Sequence, residues 1–294
     1  MNIHLDNVSF ASNSGPNSFA GKLVRYFDEN GVSVIQQNAP DAYLCFIEAT
    51  KKRFDAPMFQ RLDGIYFNKS ANYNMQNANI KRTYDMATGV VFQSEFNRQL
   101  ITKYFGQHRL STVIHNGADV DRIKNIDPVD NDVLNGHDNI WVCASHWRPH
   151  KRLKENIRYF LEHKGENDCL IVAGTPDYLY KDPNVFYVGE LSYEKLLSLY
   201  KRSKYFIHLG WLDNCPNVVV DARACGSQII CCSAGGTHEV AGLDAVVIRD
   251  SWNFKPTKLY APPSLNFVEK IKNSYDTCYD MSLVAKKYIN FFNK

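Results

Sequence analysis

The chain reads as an α/β protein of two doubly wound, Rossmann-like domains. Three observations predict this. Apolar, strand-like runs alternate with helical segments along most of the sequence. A polar stretch interrupts the alternation near the middle. At 294 residues the chain is long for one domain and comfortable for two. Strands alternating with helices imply right-handed crossovers and mostly parallel sheets. Ligands in such folds sit at the carboxyl ends of the strands, here in a cleft expected between the domains.

The elements follow in order. "MNIHLDN" alternates apolar and polar residues and reads as a first strand. "NSFAGKLVRYFDEN" carries Phe19, Leu23, Tyr26 and Phe27 at helical spacing and stops at Gly31. "VSVI" and "AYLCFI" read as strands, residues 72–87 as a polar helix and "GVVFQ" as a short buried strand. "SEFNRQLITKYFG" is a helix with Ser94 as N-cap and Gly106 as stop, and "STVIHNG" a strand ending in a turn. The stretch to Asn139, rich in Asn, Asp, Gly and Pro, reads as a linker. Beyond it come strand "IWVCAS", helix "LKENIRYFLEH", strands "CLIVAG" and "VFYVG", helix "SYEKLLSLYKRS" and strand "YFIHLG". After "DNCPNVVVDARACG" come strand "QIICCS", a Gly-Gly turn, strand "AVVI" and a helix expected around 264–293. The expected organisation is a first domain over 1–125, a linker over 126–139, a second domain over 140–263 and a final helix over 264–294.

Composition narrows the function classes. A net charge of +3 is too small to argue for nucleic acid as a partner. No apolar stretch approaches a membrane span, and the N-terminus lacks the basic start and apolar block of a signal peptide. The expected location is cytoplasmic. The eight cysteines form no C-x-x-C pair and mostly lie in strand-like runs, so they read as buried free thiols rather than a disulfide framework. The sequon at Asn68 carries little weight without a secretion signal.

Four segments carry candidate chemistry. In "DNCPNVVVDARACG", Pro216 marks a helix start just after Asp213, and Gly226 a stop. The N–H groups of Asn217 and Val218 and the positive dipole end that starts at Pro216 suit an anion such as phosphate. Asp221, further along, is placed for sugar or ribose hydroxyls. The alternative is a strand through the three valines with Asp221 merely exposed. "SHWRPHKRLKEN" gathers His146, Arg148, His150, Lys151 and Arg152 at a strand end, where cations suit a diphosphate; a solvated basic turn is the alternative. In "SNSGPNSFAG", Gly15 allows close backbone approach. The segment is not G-x-G-x-x-G, which argues against a dinucleotide site. "GGTHE" places Glu239 beside a Gly-Gly turn.

In combination these segments resemble glycosyltransferase family 4, retaining enzymes of the GT-B fold, over nearly the whole chain. "VIHNGADVDR" resembles the segment that closes the family's first domain, "PHKRL" its P-x-K-G block, and "VFYVGELSYEKLLSLYKRSKYFIHLG" its base-binding stretch. "DNCPNVVVDARACG" resembles its acidic pair with seven residues between, and "GGTHEV" its G-G-x-x-E. The resemblance implies that Asp221 binds the ribose and Asp213 lies by the donor sugar. Both positions usually hold glutamate, one methylene longer. It implies Lys151 as the cation on the diphosphate. The family arginine aligns with His146, so Arg148 or Arg152 would replace it, with Arg148 preferred. It places Gly15 near the diphosphate, the backbone around Val188 and Leu191 at the base, and Glu239 among the donor contacts. It implies no cofactor and no metal, the co-substrate being a nucleotide-diphospho-sugar such as a UDP- or GDP-sugar. "DVD" at Asp119–Asp121 imitates a metal motif of the other glycosyltransferase fold, but its place beside the "NGA" turn makes Asp121 structural or surface.

The expected acceptor is a glycan, a lipid-linked sugar or a protein-linked glycan. Its expected contacts are Arg61 and Asp63 in "QRLDGIYFN", with a charged pair that orders a loop as the alternative. His115 reads equally as a core histidine. The final helix, with Tyr275, Tyr279, Tyr288, Phe291 and Phe292, is expected to pack back on the first domain; peripheral membrane contact is the alternative. A nucleotide-sugar epimerase and a non-catalytic nucleotide-sugar-binding module remain open on the same fold. Donor base, acceptor and oligomeric state are not specified by these residues.

Overall fold

The computed structural model describes residues 1–12, 14–36 and 39–294. Its first run of elements is β1 (Asn2–Asp6), α1 (Gly15–Glu29), β2 (Ser33–Val34), β3 (Ala42–Phe46), β4 (Met58–Leu62), α2 (Tyr73–Met86), β5 (Gly89–Phe92), α3 (Glu95–Phe105) and β6 (Ser111–Val113). Next come α4 (Val120–Lys124), α5 (Asp132–Asn135), β7 (Ile140–Ala144), a 3-10 turn (Pro149–Lys151), α6 (Leu153–His163), β8 (Cys169–Ala173), β9 (Val185–Gly189) and α7 (Tyr193–Arg202). The chain continues through β10 (Tyr205–His208), α8 (Asn217–Ala224), β11 (Gln228–Cys232), α9 (Thr237–Val240), β12 (Val246–Ile248), β13 (Lys270–Lys272) and α10 (Met281–Phe292).

The chain divides into two compact units. The first comprises Met1–Asp119, Phe254–Thr257 and Cys278–Lys294. Its sheet runs β2-β1-β3-β4-β5-β6 and is parallel throughout. Its core joins Phe19, Leu23 and Phe27 of α1 to Phe46 and Phe59 of the strands and to Val284, Tyr288 and Phe291 of α10. Phe59 and Phe292 meet with ring centroids 4.9 Å apart, so Tyr288, Phe291 and Phe292 are core residues of this unit, whereas Tyr275 belongs to the second unit. Gly89 is required by that packing, since a Cβ there would lie 2.9 Å from the Phe291 ring. Local signals fix the helix ends. The Ser94 side chain accepts the Asn97 N–H at 3.1 Å, and Gly106 ends α3 at φ 88°.

The second unit comprises Val120–Asn253 and Lys258–Thr277. Its sheet runs β13-β12-β11-β10-β7-β8-β9, parallel except where β13 pairs antiparallel with β12. Strands β7 to β9 build outward on one side and β10 to β12 on the other. The order therefore reverses between β7 and β10, which lie side by side. That reversal is the topological switch point, where the connections leaving two neighbouring strands diverge and open a crevice. The core spans Trp141, Cys143, Ile157, Phe160, Leu170, Val172, Ile207 and Ile230.

Some sequence expectations need correction, and others hold. The region 264–293 is not one helix: Lys270–Lys272 form an edge strand, and the helix starts only at Met281. The Asp280 side chain accepts the Ser282 N–H at 2.8 Å and sets that start. The polar stretch read as a linker is docked on the second unit and contains α5. The Ser198 hydroxyl donates to the Asp127 carbonyl at 2.7 Å and Lys201 Nζ to the Ile126 carbonyl at 2.6 Å. Strand β4 was not anticipated, because Gln60 and Arg61 break its apolar pattern, yet all five of its residues are buried. The three valines at 218–220 are helical, because Val219 and Val220 are fully buried in the unit's interior and packing overrides β-propensity. Of the eight cysteines none is disulfide-bonded; burial pushes the Cys143 thiol well above its ordinary value.

Candidate functional site

The switch point of the second sheet delivers two short connections to the same place. From β7 the chain passes through Ser145–Arg148 into the 3-10 turn and ends at Lys151. From β10 it passes through Leu209–Leu212 to Asp213. The ends meet in an ion pair: Lys151 Nζ lies 2.5 Å from Asp213 Oδ2. His208, the last residue of β10, brings its Nε2 to 2.7 Å from the same oxygen. Burial pushes the Asp213 carboxyl up, but the Lys151 charge and the His208 contact outweigh it and hold the group well below the usual carboxylate range. Asp213 is thus an anion throughout the physiological range.

The backbone is built to hold this pair. Asn156 of α6 donates from Nδ2 to the carbonyls of Lys151 (3.0 Å) and Arg152 (2.8 Å), and its Oδ1 accepts the Leu209 N–H at 3.0 Å. One buried side chain thus ties the β7 connection to the β10 connection. The Trp211 N–H donates to the His150 carbonyl at 2.7 Å. Arg152 takes a left-handed conformation at φ 52° and turns inward. Its guanidinium pairs with Asp250 at 2.8 Å and donates to the Pro263 carbonyl. Arg152 is therefore 4% exposed and committed to the interior, whereas Arg148 and His146 are exposed on the β7 connection. Burial, with the charge of Lys151, lowers the His150 imidazole to about 4, so His150 is neutral at physiological pH.

The Gly-Gly turn closes against the aspartate. The Leu212 N–H donates to the Ala234 carbonyl, and the Gly236 N–H donates to the Asp213 carbonyl at 2.7 Å. Gly235 adopts φ +118°, and a Cβ there would lie 2.7 Å from the Asp213 carbonyl oxygen. Only glycine fits so close to that strand-like bridge. Thr237 and Glu239 follow in α9, both buried, with Glu239 1% exposed. Helix α8 begins at Asn217 with Pro216 as its cap residue, three residues beyond Asp213. Asp221, one turn in, is 4% exposed, and the Tyr193 hydroxyl donates to its Oδ1 at 3.3 Å. Val188 is exposed on β9, and Leu191 is half-buried just beyond it.

The second unit therefore brings Lys151, Asp213, Pro216, Asn217, Val218 and the Gly-Gly turn together around one switch point. The sequence had not singled out His208, which looked like one apolar-strand residue among others. Gly15, Arg61 and Asp63 belong to the first unit. Gly15 is exposed at the first position of α1, and Asn13 beside it lies outside the described residues. Arg61 is buried, with its guanidinium 4.1 Å from the Phe19 ring centroid. It pairs with Asp63, which also accepts from Gln93 Nε2, and donates to Asn116 Oδ1 at 2.8 Å. These groups sit at the carboxyl ends of β4, β5 and β6. Asp119 accepts from Arg25 and from the Tyr26 hydroxyl, both at 2.8 Å, whereas Asp121 is exposed near Lys124; the two acids of "DVD" serve different neighbours. Among the described residues no group of three or more His, Cys, Asp or Glu is placed to hold a metal ion. Among them, too, no helix is long and apolar enough to cross a membrane.

No family model matches the sequence, and no curated protein matches it. The fold, by contrast, is shared with many solved structures. Sucrose-phosphate synthase from Thermosynechococcus elongatus superposes with a TM-score of 0.73 at 12% identity, covering 100% of this chain and 98% of the other. HepE (Alr3699) of Anabaena, crystallised with UDP and glucose, gives 0.68 at 11% identity over 100% and 99%. WaaG, a glycosyltransferase involved in lipopolysaccharide biosynthesis, gives 0.63 at 10% identity over 100% and 91%. The chain has the GT-B fold of these glycosyltransferases over its full length.

Proposed function

We propose that this protein is a retaining glycosyltransferase that moves a sugar from a nucleotide-diphospho-sugar to a glycan, lipid-linked or protein-linked glycan acceptor. The observation that carries the reading is the Lys151–Asp213 pair at the switch point of the second sheet, on a fold shared with glycosyltransferases. The HepE structure holds UDP and glucose, which supports a nucleotide-sugar as the co-substrate here.

Charge dictates the mechanism. Departure of a nucleoside diphosphate leaves negative charge on its phosphates, and groups already in place must meet it as it develops. On this reading Lys151, the exposed Arg148 and the N–H groups at the start of α8 supply that positive potential. Asp213, ionised and beside them, faces the donor sugar, where it accepts from hydroxyls and offsets positive charge on the reacting carbon. The acceptor oxygen attacks the anomeric carbon on the face that the leaving phosphate vacates, and its proton passes to that phosphate. The configuration is retained. Asp221, with Tyr193 beside it, and the backbone at Val188 and Leu191 take the ribose and base; Glu239 and Gly15 complete the donor contacts. Asp63, held in place by the buried Arg61, takes the acceptor side. The reaction on this reading needs no cofactor and no metal.

The test is a thermal-shift screen of UDP, GDP, ADP and their sugars. A ligand at a hundred times its dissociation constant stabilises the folded protein by about 2.7 kcal/mol. One base series is expected to stabilise the wild type and to lose that effect in Lys151→Ala. Binding of none of them would overturn the reading. Binding of a sugar nucleotide that is epimerised or left intact, with no acceptor glycosylated, would turn it into the epimerase or binding-module reading.

A further inference from the structure

None of the roles above uses His208. It is 4% exposed at the end of a central strand, and its Nε2 is 2.7 Å from Asp213 Oδ2. A carboxylate only accepts, so Nε2 carries the proton in this contact. Lys151 Nζ approaches the same oxygen at 2.5 Å. Two donors converge on Oδ2, and Oδ1 has no hydrogen-bond partner among the described residues. Gly210 makes the convergence possible, since a Cβ there would lie 2.9 Å from His208 Nε2 and 3.1 Å from Asp213 Oδ2.

The two donors differ in what else they must do. Lys151 ends a flexible four-carbon stem, and an arriving diphosphate competes for its charge. The imidazole has two side-chain torsions and a buried seat on a strand, so it stays where it is. We propose that His208 is a positioning residue for sugar transfer: it holds Asp213 Oδ2 when Lys151 turns to the diphosphate, and so keeps Oδ1 presented to the donor sugar. The inference rests on the glycosyltransferase reading of Asp213 and Lys151, and it makes the short aspartate side chain part of a three-residue device.

Two substitutions separate the donor from the bulk of the ring. His208→Gln keeps an N–H at nearly the reach of Nε2, whereas His208→Met fills a similar volume without a donor. With the nucleoside diphosphate and sugar nucleotide that stabilise the wild type, calorimetry and steady-state kinetics are run on all three proteins. His208→Met is expected to bind the nucleoside diphosphate as the wild type does. Its preference for the sugar nucleotide and its kcat should each fall about 10- to 100-fold, the factor that a hydrogen bond to a charged group carries. His208→Gln should stay within about threefold of wild type. A second readout needs no substrate: ring 15N NMR of the unliganded protein at pH 8 should show His208 protonated on Nε2, and Asp213→Asn should shift that resonance. Equal losses in both variants that track thermal destabilisation, unchanged kcat in His208→Met, or an Nδ1-protonated ring would each overturn the proposal. If the wild type neither binds nor turns over any sugar nucleotide, the glycosyltransferase reading fails and this role with it, and the NMR result then decides only the His208–Asp213 contact.

Discussion

Replacing Gly210 with alanine tests the site with a single carbon. The residue lies outside the left-handed backbone region, so alanine fits its main chain without strain. The added Cβ, however, would lie 2.9 Å from His208 Nε2, 3.1 Å from Asp213 Oδ2 and 3.4 Å from His208 Cδ2. Ordinary contacts of this kind need several tenths of an ångström more, and the displaced atoms are those that make the 2.5 Å and 2.7 Å contacts of the site. Overpacking of this kind costs about 1–3 kcal/mol. At about 2–4 °C per kcal/mol for a domain of 150–250 residues, Tm should fall by about 2–12 °C. Moving the Asp213 carboxylate off its donors should also lower kcat by about 10- to 100-fold. Gly21→Ala is the matched control. It lies within α1 with nothing within 4 Å of an added Cβ, so it should stabilise by about 0.5–1 kcal/mol and leave turnover unchanged. The assay pairs thermal melting with steady-state release of nucleoside diphosphate. Wild-type melting and turnover in Gly210→Ala would refute the close packing from which the site is argued.

Other outcomes follow from the same geometry. Asp250→Asn leaves the Arg152 guanidinium buried without its counter-charge and should cost about 3–5 kcal/mol in denaturant unfolding, because Arg152 is 2% exposed in that pair. His150 has a folded value lowered to about 4, by burial first and by Lys151 second. The unfolded imidazole titrates near 6.5. The stability it contributes is therefore present above about pH 6.5 and is lost as pH falls toward 4, by up to about 3 kcal/mol before solvent screening is counted. His150→Gln should flatten that part of a melting-versus-pH curve. Asp213 works in a lower window: its depressed value stabilises the fold above the unfolded carboxylate's titration near 3.9 and is lost only in stronger acid. Asp213→Asn should remove that acid-side slope.

Much of this could be read from the residues. The Ser94 cap and the Gly106 stop of α3 are local, and local signals survive without tertiary information. That the loops after β7 and β10 lie at carboxyl ends was legible too, because strand–helix alternation fixes it; the strand order that sets β7 beside β10 was not. What was lost is non-local. Strand β4 was hidden because Gln60 and Arg61 look like surface residues; Gln60 is bonded inside to the Ile47 and Ile80 carbonyls, and Arg61 to Asp63 and Asn116. His208 was hidden because a histidine ending an apolar strand looks like core. Its contact with Asp213 exists only because the chain turns back through Leu212 at φ 60° against the Gly235 turn. The burial of Arg152 was likewise not legible, because only the left-handed turn there aims it at Asp250. The usable clue was the run of short residues around the acid: glycine at 210 and at 235–236 marks backbone and side chains packed too closely for a Cβ.

The central claim is that Lys151 and Asp213 act on a nucleotide-diphospho-sugar. It is tested most directly by measuring nucleoside diphosphate released from UDP-, GDP- and ADP-sugars, with and without a pooled glycan acceptor, by wild type, Lys151→Ala and Asp213→Asn. The account predicts release from one donor series by the wild type, a loss of at least about 100-fold in each variant, as for removal of a group that stabilises transition-state charge, and retained folding in both. No release from any donor, or release that survives both substitutions, would contradict it.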